Sequence, residues 1–316
     1  MENALVLAPE FMNYDQAIVK AWSETYDVTL INNEKYLYTI LNGIQKSFFK
    51  QLGMFLNRKL GRKDRYYDML QTKYCGEYLQ ELGNKNYQKI ICINGHCMPD
   101  KFYETLRKRN PDAEMILYLW DDISNLLKHT HFSYFDQVYS YNLDDCKEYS
   151  LQYMPMMTQN KWVGHGSVDK YDIAIIGTAH PDRLEEARKI YEKYREKYRF
   201  YIYFYHPDKT IDFFGHRTPL SYEEYVNILR QSSTVLDLPF REQKGLTTRP
   251  FDALLTETKV ITSNANIRRY PVYSDNVMII DWDDPEIPET FIRQSYQQND
   301  RRVLNAEEWL KEIFKD

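Results

Sequence analysis

Short apolar runs alternate with amphipathic stretches through most of the chain. Ala4–Ala8 predicts a strand, Gln16–Glu24 a helix and Tyr26–Ile31 a second strand. Ile90–Ile93 reads as a strand running into Asn94-Gly95-His96, and Lys101–Arg109 as a helix that stops before Asn110-Pro111. Glu114–Trp120 is a strand ending at Asp121-Asp122, and Gln137–Tyr141 a short one. These runs are apolar throughout, which suits a parallel sheet covered on both faces by helices. A polar stretch with Gly164, Gly166 and Ser167 then interrupts the rhythm at Gln159–Lys170. Strands resume at Tyr171–Ile176, Phe200–Tyr205, Ser233–Leu238, Lys259–Thr262 and Val277–Ile280. Helices fall at Asp182–Lys197, Ser221–Arg230 and Arg249–Leu255, and Asn305–Phe314 is a last helix with Ala306, Trp309, Leu310 and Ile313 on one face. The pattern predicts an α/β protein of two Rossmann-like domains, 1–160 and 168–299, with parallel sheets facing a central cleft. The C-terminal helix, 300–316, is expected to pack back on the first domain. Ligands in such sheets sit at the carboxyl ends of the strands.

Composition narrows the class. The chain has 316 residues, 43% of them hydrophobic and only 11 of them Gly, which excludes a collagenous or disordered chain. A net charge of −5 argues against a chain-wide polycation, and nucleic acid is not expected as a partner. Cys75, Cys92, Cys97 and Cys146 form no C-x-x-C pair and no zinc quartet, so reduced thiols are expected and no metal. The start of the chain lacks the basic and long apolar regions of a secretory signal, and no apolar stretch approaches the roughly 20 residues of a spanning helix. A cytoplasmic protein is expected.

One segment departs from the rhythm. Lys46 to Arg65 reads KSFFKQLGMFLNRKLGRKDR, with seven basic residues and one acidic. Phe48, Phe49, Leu52, Phe55, Leu56 and Leu60 interleave with the charges. Either this is an amphipathic helix packing its apolar face on the first sheet, or it meets an anionic membrane surface through residues such as Arg58, Lys59, Arg62 and Lys63. The second reading would place the protein peripherally at the inner face of the cell membrane.

The stretch richest in chemistry is Asp237 to Asn264, DLPFREQKGLTTRPFDALLTETKVITSN. Thr247, Thr248 and Arg249 stand where a helix begins, with Pro250 in its first turn. Hydroxyls, a guanidinium and free N–H groups there would hold phosphate oxygens. Asp252, one turn on, could accept bonds from a ribose diol. The plainer alternative is a capped helix start with a local Arg249–Asp252 ion pair.

This stretch resembles the donor-binding motif of GT-B glycosyltransferases, of the shape Gly-Leu-Thr-x-Arg-x-Phe-Glu-Ala-Leu followed by Lys-x-Ile-Thr-x-Asn. Here it reads Gly245-Leu246-Thr247-Thr248-Arg249-Pro250-Phe251-Asp252-Ala253-Leu254 and Lys259-Val260-Ile261-Thr262-Ser263-Asn264. The nearest group is the bacterial transferases of capsule, exopolysaccharide and lipopolysaccharide biosynthesis, which also resemble spore-maturation glycosyltransferases. Leu5–Phe11, Tyr118-Leu119-Trp120-Asp121 and Ile176-Gly177-Thr178-Ala179-His180 with Arg183 are similar to further elements of that group. Asp252 stands where the group more often has Glu. The resemblance implies a nucleoside-diphosphate sugar as substrate, of UDP type, and no separate cofactor. It implies a donor site of Gly177, Thr178, His180, Arg183, Gly245, Thr247, Thr248, Arg249 and Asp252, with a glycan or lipid-linked acceptor on the first domain.

Candidates for a general base at first-domain strand ends are Glu10, His96, Asp121 and Asp122. His96 follows what reads as an exposed turn and titrates in the useful range. Three rivals stay open. Asp281-Trp282-Asp283 is a literal Asp-x-Asp of the metal-dependent GT-A type, the same architecture hosts sugar-nucleotide epimerases, and a non-catalytic scaffold of polysaccharide assembly could keep the fold. The reading adopted is a metal-independent GT-B-like glycosyltransferase acting on a bacterial surface polysaccharide or lipid-linked glycan.

Overall fold

The computed structural model describes residues 1–159, 163–166, 169–240, 243–298 and 303–315. Ser167 of the expected linker and residues 300–302 and 316 of the expected C-terminal segment lie outside the described residues. The chain divides into two compact units. Met1–Pro155 and the helix Ala306–Phe314 form the first, and Met156–Asn305 the second.

The first unit carries β1 (Glu2–Ala8), β2 (Tyr26–Asn32), β3 (Lys89–Ile93), β4 (Glu114–Leu119), β5 (Gln137–Ser140) and β6 (Gln152–Tyr153). They form one all-parallel sheet in the order β2-β1-β3-β4-β5-β6. Ala4 to Ala8 are buried at consecutive positions, so both faces of β1 are covered, as its unbroken apolar run requires. The second unit carries β7 (Tyr171–Thr178), β8 (Phe200–Tyr205), β9 (Gly215–His216), β10 (Ser232–Asp237), β11 (Lys259–Thr262) and β12 (Val277–Ile279). Its sheet is also all-parallel, in the order β12-β11-β10-β7-β8-β9.

Each sheet therefore has one point where the chain order reverses, between β1 and β3 in the first and between β7 and β10 in the second. Connections leave such a point in opposite directions and open a crevice at the strand ends. In the first unit the buried Asn33 fills it, its Nδ2 donating to Leu7 O at 3.0 Å and Ile93 O at 2.7 Å. In the second unit an arginine lies there.

The helix Ala306–Phe314 packs its apolar face into the first unit. Trp309 is fully buried, meets the Tyr118 ring edge-on at 4.8 Å and donates from Nε1 to Pro155 O at 3.1 Å. Phe314 packs against Trp22 at 5.1 Å.

Between β2 and β3 the chain forms four helices, Leu37–Gln45, Phe48–Lys59, Lys63–Gln71 and Cys75–Leu82. Of the two readings of the basic segment, the one that buries its apolar face on the sheet does not agree with the structure. No residue of Phe48–Lys59 is buried, and Phe48 and Phe49 are 72% and 81% exposed.

Candidate functional site

The second unit's reversal point is built around Asp237, which is fully buried at the end of β10. Its Oδ1 accepts from Thr247 Oγ1 at 2.6 Å and Arg249 Nη1 at 3.1 Å, and its Oδ2 from Thr262 Oγ1 at 3.0 Å. Arg249 Nε donates to Ile176 O at 2.9 Å. One guanidinium thus bridges β7 and β10 across the crevice. Glycine at 177 lets the guanidinium sit this close to the strand end, since a Cβ there would lie 2.9 Å from Arg249 Nη2 and the side-chain tip would have to shift. Gly245 joins the same fold-back through Asn264 Nδ2, which donates to its carbonyl at 3.1 Å.

A second cation stands beside the first. Arg183, on the helix Pro181–Tyr194, donates from Nε to Leu238 O at 2.7 Å, and its guanidinium lies 4.4 Å from the Phe240 ring centroid. Burial pushes its pKa down to about 10; the charge of Arg249 adds to that effect and Asp237 opposes it. Arg249 is thus paired with the buried Asp237, whereas Arg183 is held by a backbone carbonyl and makes no ion pair among the described residues, so two cations stand together under reduced solvation. That is an environment that favours an anion. The His180 ring meets the edge of Phe240 at 4.6 Å, and its buried Nδ1 has no hydrogen-bond partner among the described residues. Thr178 is exposed at the end of β7, and the Thr248 side chain makes no cap bond to the helix Arg249–Leu255.

The structure brings Gly177, His180, Arg183, Gly245, Thr247 and Arg249 into one network with Asp237 and Phe240. Asp252 stands apart. It is 1% exposed, and its Oδ1 accepts from Tyr222 OH at 2.6 Å on the neighbouring helix Tyr222–Leu229. Burial raises its pKa to about 7, opposed by the bonds from Tyr222 and Tyr225 and by the Arg249 charge. Its carboxyl is internal, so the expected ribose contact does not form from this position. Sequence reasoning passed over Asp237 as organiser and Phe240 as platform. An aspartate closing an apolar strand run was the available signal.

Asp281-Trp282-Asp283 closes a turn. Asp281 Oδ1 accepts from the backbone N–H of Asp283 at 2.8 Å and of Asp284 at 3.1 Å, and these bonds hold its pKa down. Neither aspartate belongs to a cluster of three metal-ligating side chains among the described residues.

The strand ends of the first unit carry the base candidates. His96 is buried rather than exposed, contrary to the reading of its turn. The Leu127 backbone N–H donates to its Nδ1 at 2.9 Å, so in the neutral ring the proton sits on Nε2, which faces Glu34 Oε1 at 3.2 Å. Cys97 Sγ lies 3.6 Å from the same nitrogen. Glu34, His96 and Cys97 have metal-ligand spacing, but Nε2 is already a donor, so the ring offers neither a metal lone pair nor a basic site there. Asp122 Oδ1 accepts from Tyr141 OH and Asn142 Nδ2, both at 2.7 Å. Asp121 Oδ2 accepts from Asn94 Nδ2 at 2.7 Å. Its residue is exposed overall, yet its carboxyl is crowded, and desolvation raises its pKa, with the nearby Glu34 adding to the rise. Glu10 is exposed. Beside these acids, Phe11, Tyr14 and Trp120 form an aromatic cluster with centroids 6.1–6.5 Å apart, and Phe11 is 53% exposed.

No protein-family model and no curated protein matches the sequence. Solved structures do. The apo structure of OtsA superposes with a TM-score of 0.50 at 11% identity, covering 90% of this chain and 89% of that one. The fold is GT-B. The spinosyn rhamnosyltransferase SpnG, complexed with thymidine diphosphate, gives 0.47 at 10% identity over 99% and 92% of the two chains. The lipopolysaccharide outer core galactosyltransferase WaaB in its apo form gives 0.43 at 10% identity over 83% and 80%. At these identities the likeness is one of architecture: two Rossmann-like α/β domains with parallel sheets.

Proposed function

We propose that the chain is a glycosyltransferase that moves a sugar from a nucleoside diphosphate to a glycan acceptor. The observation that carries this reading is the Arg183–Arg249 pair at the reversal point of the second sheet, where Arg249 is paired with the buried Asp237 and Arg183 makes no ion pair among the described residues. As the glycosidic bond to the donor breaks, its electron pair leaves on a diphosphate oxygen. Fixed guanidiniums there meet the developing charge without rearrangement. Gly177, Thr178, His180, Gly245, Thr247 and Thr248 complete the donor site in this reading, and no metal takes part in it. The donor nucleotide is of UDP type, as the resemblance of Gly245–Asn264 implies.

The first unit supplies the acceptor site. Asp121 is the base that its surroundings favour, because desolvation raises its pKa and makes it a better proton acceptor than an ordinary carboxylate, while one carboxylate oxygen stays outside the Asn94 bond. The acceptor hydroxyl would lose its proton to Asp121 as its oxygen bonds to the anomeric carbon. Glu10 and the aromatic cluster of Phe11 and Trp120 stand beside it to receive a sugar ring. The acceptor class, a bacterial surface polysaccharide or lipid-linked glycan at the cytoplasmic membrane face, rests on the same motif resemblance.

The test is incubation of purified protein with UDP-, GDP- and TDP-sugars in excess chelator, with and without glycan acceptors. Nucleoside diphosphate release that rises with acceptor is expected. Sugar interconversion without acceptor would instead show an epimerase, and no turnover with intact binding a scaffold. An absolute need for Mn²⁺ or Mg²⁺ that is lost in Asp283→Asn would move the chemistry to Asp281 and Asp283.

A further inference from the structure

The helix Phe48–Lys59 is turned inside out relative to an ordinary surface helix. Its inner face is the one with small and polar residues. A Cβ on Gly53 would lie 2.6 Å from Tyr66 Oη, so glycine there admits the ring of the next helix, and Tyr66 OH donates to Lys50 O at 3.1 Å. Met54 packs beside the small cluster of Tyr67, Cys97 and Leu127, and Asn57 Nδ2 donates back to Gly53 O at 2.8 Å. The outer face carries Phe48, Phe49, Leu52, Phe55 and Leu56, with Leu60 just beyond the helix end, all 42–81% exposed. The sequence spacing i, i+1, i+4, i+7, i+8 makes these helix residues one continuous stripe.

Cations border the stripe at both ends. Lys46 precedes it, and Arg58, Lys59, Arg62 and Arg65 follow, all exposed. None of the five makes an ion pair among the described residues, and Lys59 Nζ instead lies 4.5 Å from the Phe55 ring centroid. The helix end is firmly set. Gly61, with φ +65°, closes a Schellman turn in which Gly61 N donates to Arg58 O at 3.2 Å and Arg62 N to Asn57 O at 2.8 Å. This places Arg62 beside Arg58 and Lys59. Lys63 does not belong with them. It points inward, donating to Leu126 O at 2.9 Å, and burial lowers its pKa.

We propose that this helix docks on a bilayer containing anionic lipid, lying in the interface with its apolar stripe among the acyl chains and its five flanking cations at the phosphates. Twelve residues of helix span about 18 Å, a length suited to lying on a membrane, and no helix among the described residues is long and apolar enough to cross one. Charge complementarity selects the occupant. A second copy of the same face would bring five cations against five, whereas an anionic leaflet offers both the apolar layer and the countercharge. The inference is independent of the proposed catalytic activity.

The experiment is co-sedimentation of the full chain with vesicles of phosphatidylcholine alone and of phosphatidylcholine with phosphatidylglycerol. Sedimentation with the anionic vesicles, weakened by added salt, is expected. Arg58→Gln/Lys59→Gln/Arg62→Gln should weaken partitioning on the order of 100-fold. Phe48→Ser/Phe49→Ser/Phe55→Ser should weaken it at unchanged thermal midpoint, because none of the three rings is buried. Absence of binding by the parent chain, or binding by either variant as tight as the parent's, overturns the proposal. So does a dimer in light scattering that the Phe variant dissociates while vesicle binding is unaffected.

Discussion

Asp252 is a carboxyl that the fold holds almost entirely away from water, against the hydroxyl of Tyr222. Its pKa rises from the ordinary 3.8 to about 7. A carboxyl whose folded pKa lies above its unfolded value contributes stability that is fully present below about pH 4 and lost as pH rises through about 7. The parent chain should therefore lose up to a few kcal/mol between those limits from this group. Asp252→Asn should flatten that part of the curve, as urea melts at a series of pH values would show; an unchanged slope would contradict the assignment. Asp121 titrates for a different purpose. If it is the base, the acidic limb of the rate profile reports its raised pKa, and Asp121→Asn should remove that limb and lower kcat by roughly 10²–10⁴-fold while leaving donor affinity unchanged. A matching loss with Glu10→Gln and none with Asp121→Asn would transfer the role. Both roles turn on partners that sequence spacing does not reveal. Arg249 and Asp252 are three apart, a spacing open to a shared donor site or to a local ion pair, yet Asp237 holds one and Tyr222 the other.

At the scale of elements, strands were legible wherever an apolar run had polar ends. Phe200–Tyr205, Lys259–Thr262 and the helix Arg249–Leu255 fall where the pattern places them. β6 and β9 have two residues each, too few for any periodicity to register. The helices between β2 and β3 were harder to read, because apolar periodicity says which face is apolar but not which way it points. The helix Lys63–Gln71 is held from outside its own pattern. Lys128, fully buried, reaches Asp68 at 2.5 Å and also pairs with Asp100 on the helix Asp100–Arg109. Lys128→Ala should leave these carboxylates without their cation at a cost of about 3 kcal/mol, at the lower end because both carboxylates keep some contact with water. Denaturant melts check this, and a change within about 0.5 kcal/mol, as for an ordinary surface site, would contradict it.

At the scale of the molecule, two parallel sheets of the same size use their reversal points differently. Asn33 closes the first with hydrogen bonds to both strands, and Arg249 places a charge in the second. The two-unit α/β organisation was visible in the strand rhythm; the contrast between the reversal points was not, since both depend on residues distant in sequence. The last helix ties the end of the described chain to its first unit through Trp309. Trp309→Ala should cost that unit about 3–5 kcal/mol, seen as an earlier unfolding transition. The central claim is that the arginine pair of the second unit receives a nucleoside diphosphate, and calorimetric titration of the full chain with UDP, GDP, TDP and the matching monophosphates tests it most directly. A diphosphate that binds, a monophosphate that binds at least about tenfold more weakly, and a loss of about 10- to 150-fold in an Arg183→Ala chain that still unfolds cooperatively are the predicted results. Failure of every diphosphate to bind, or full affinity retained in Arg183→Ala, would contradict it.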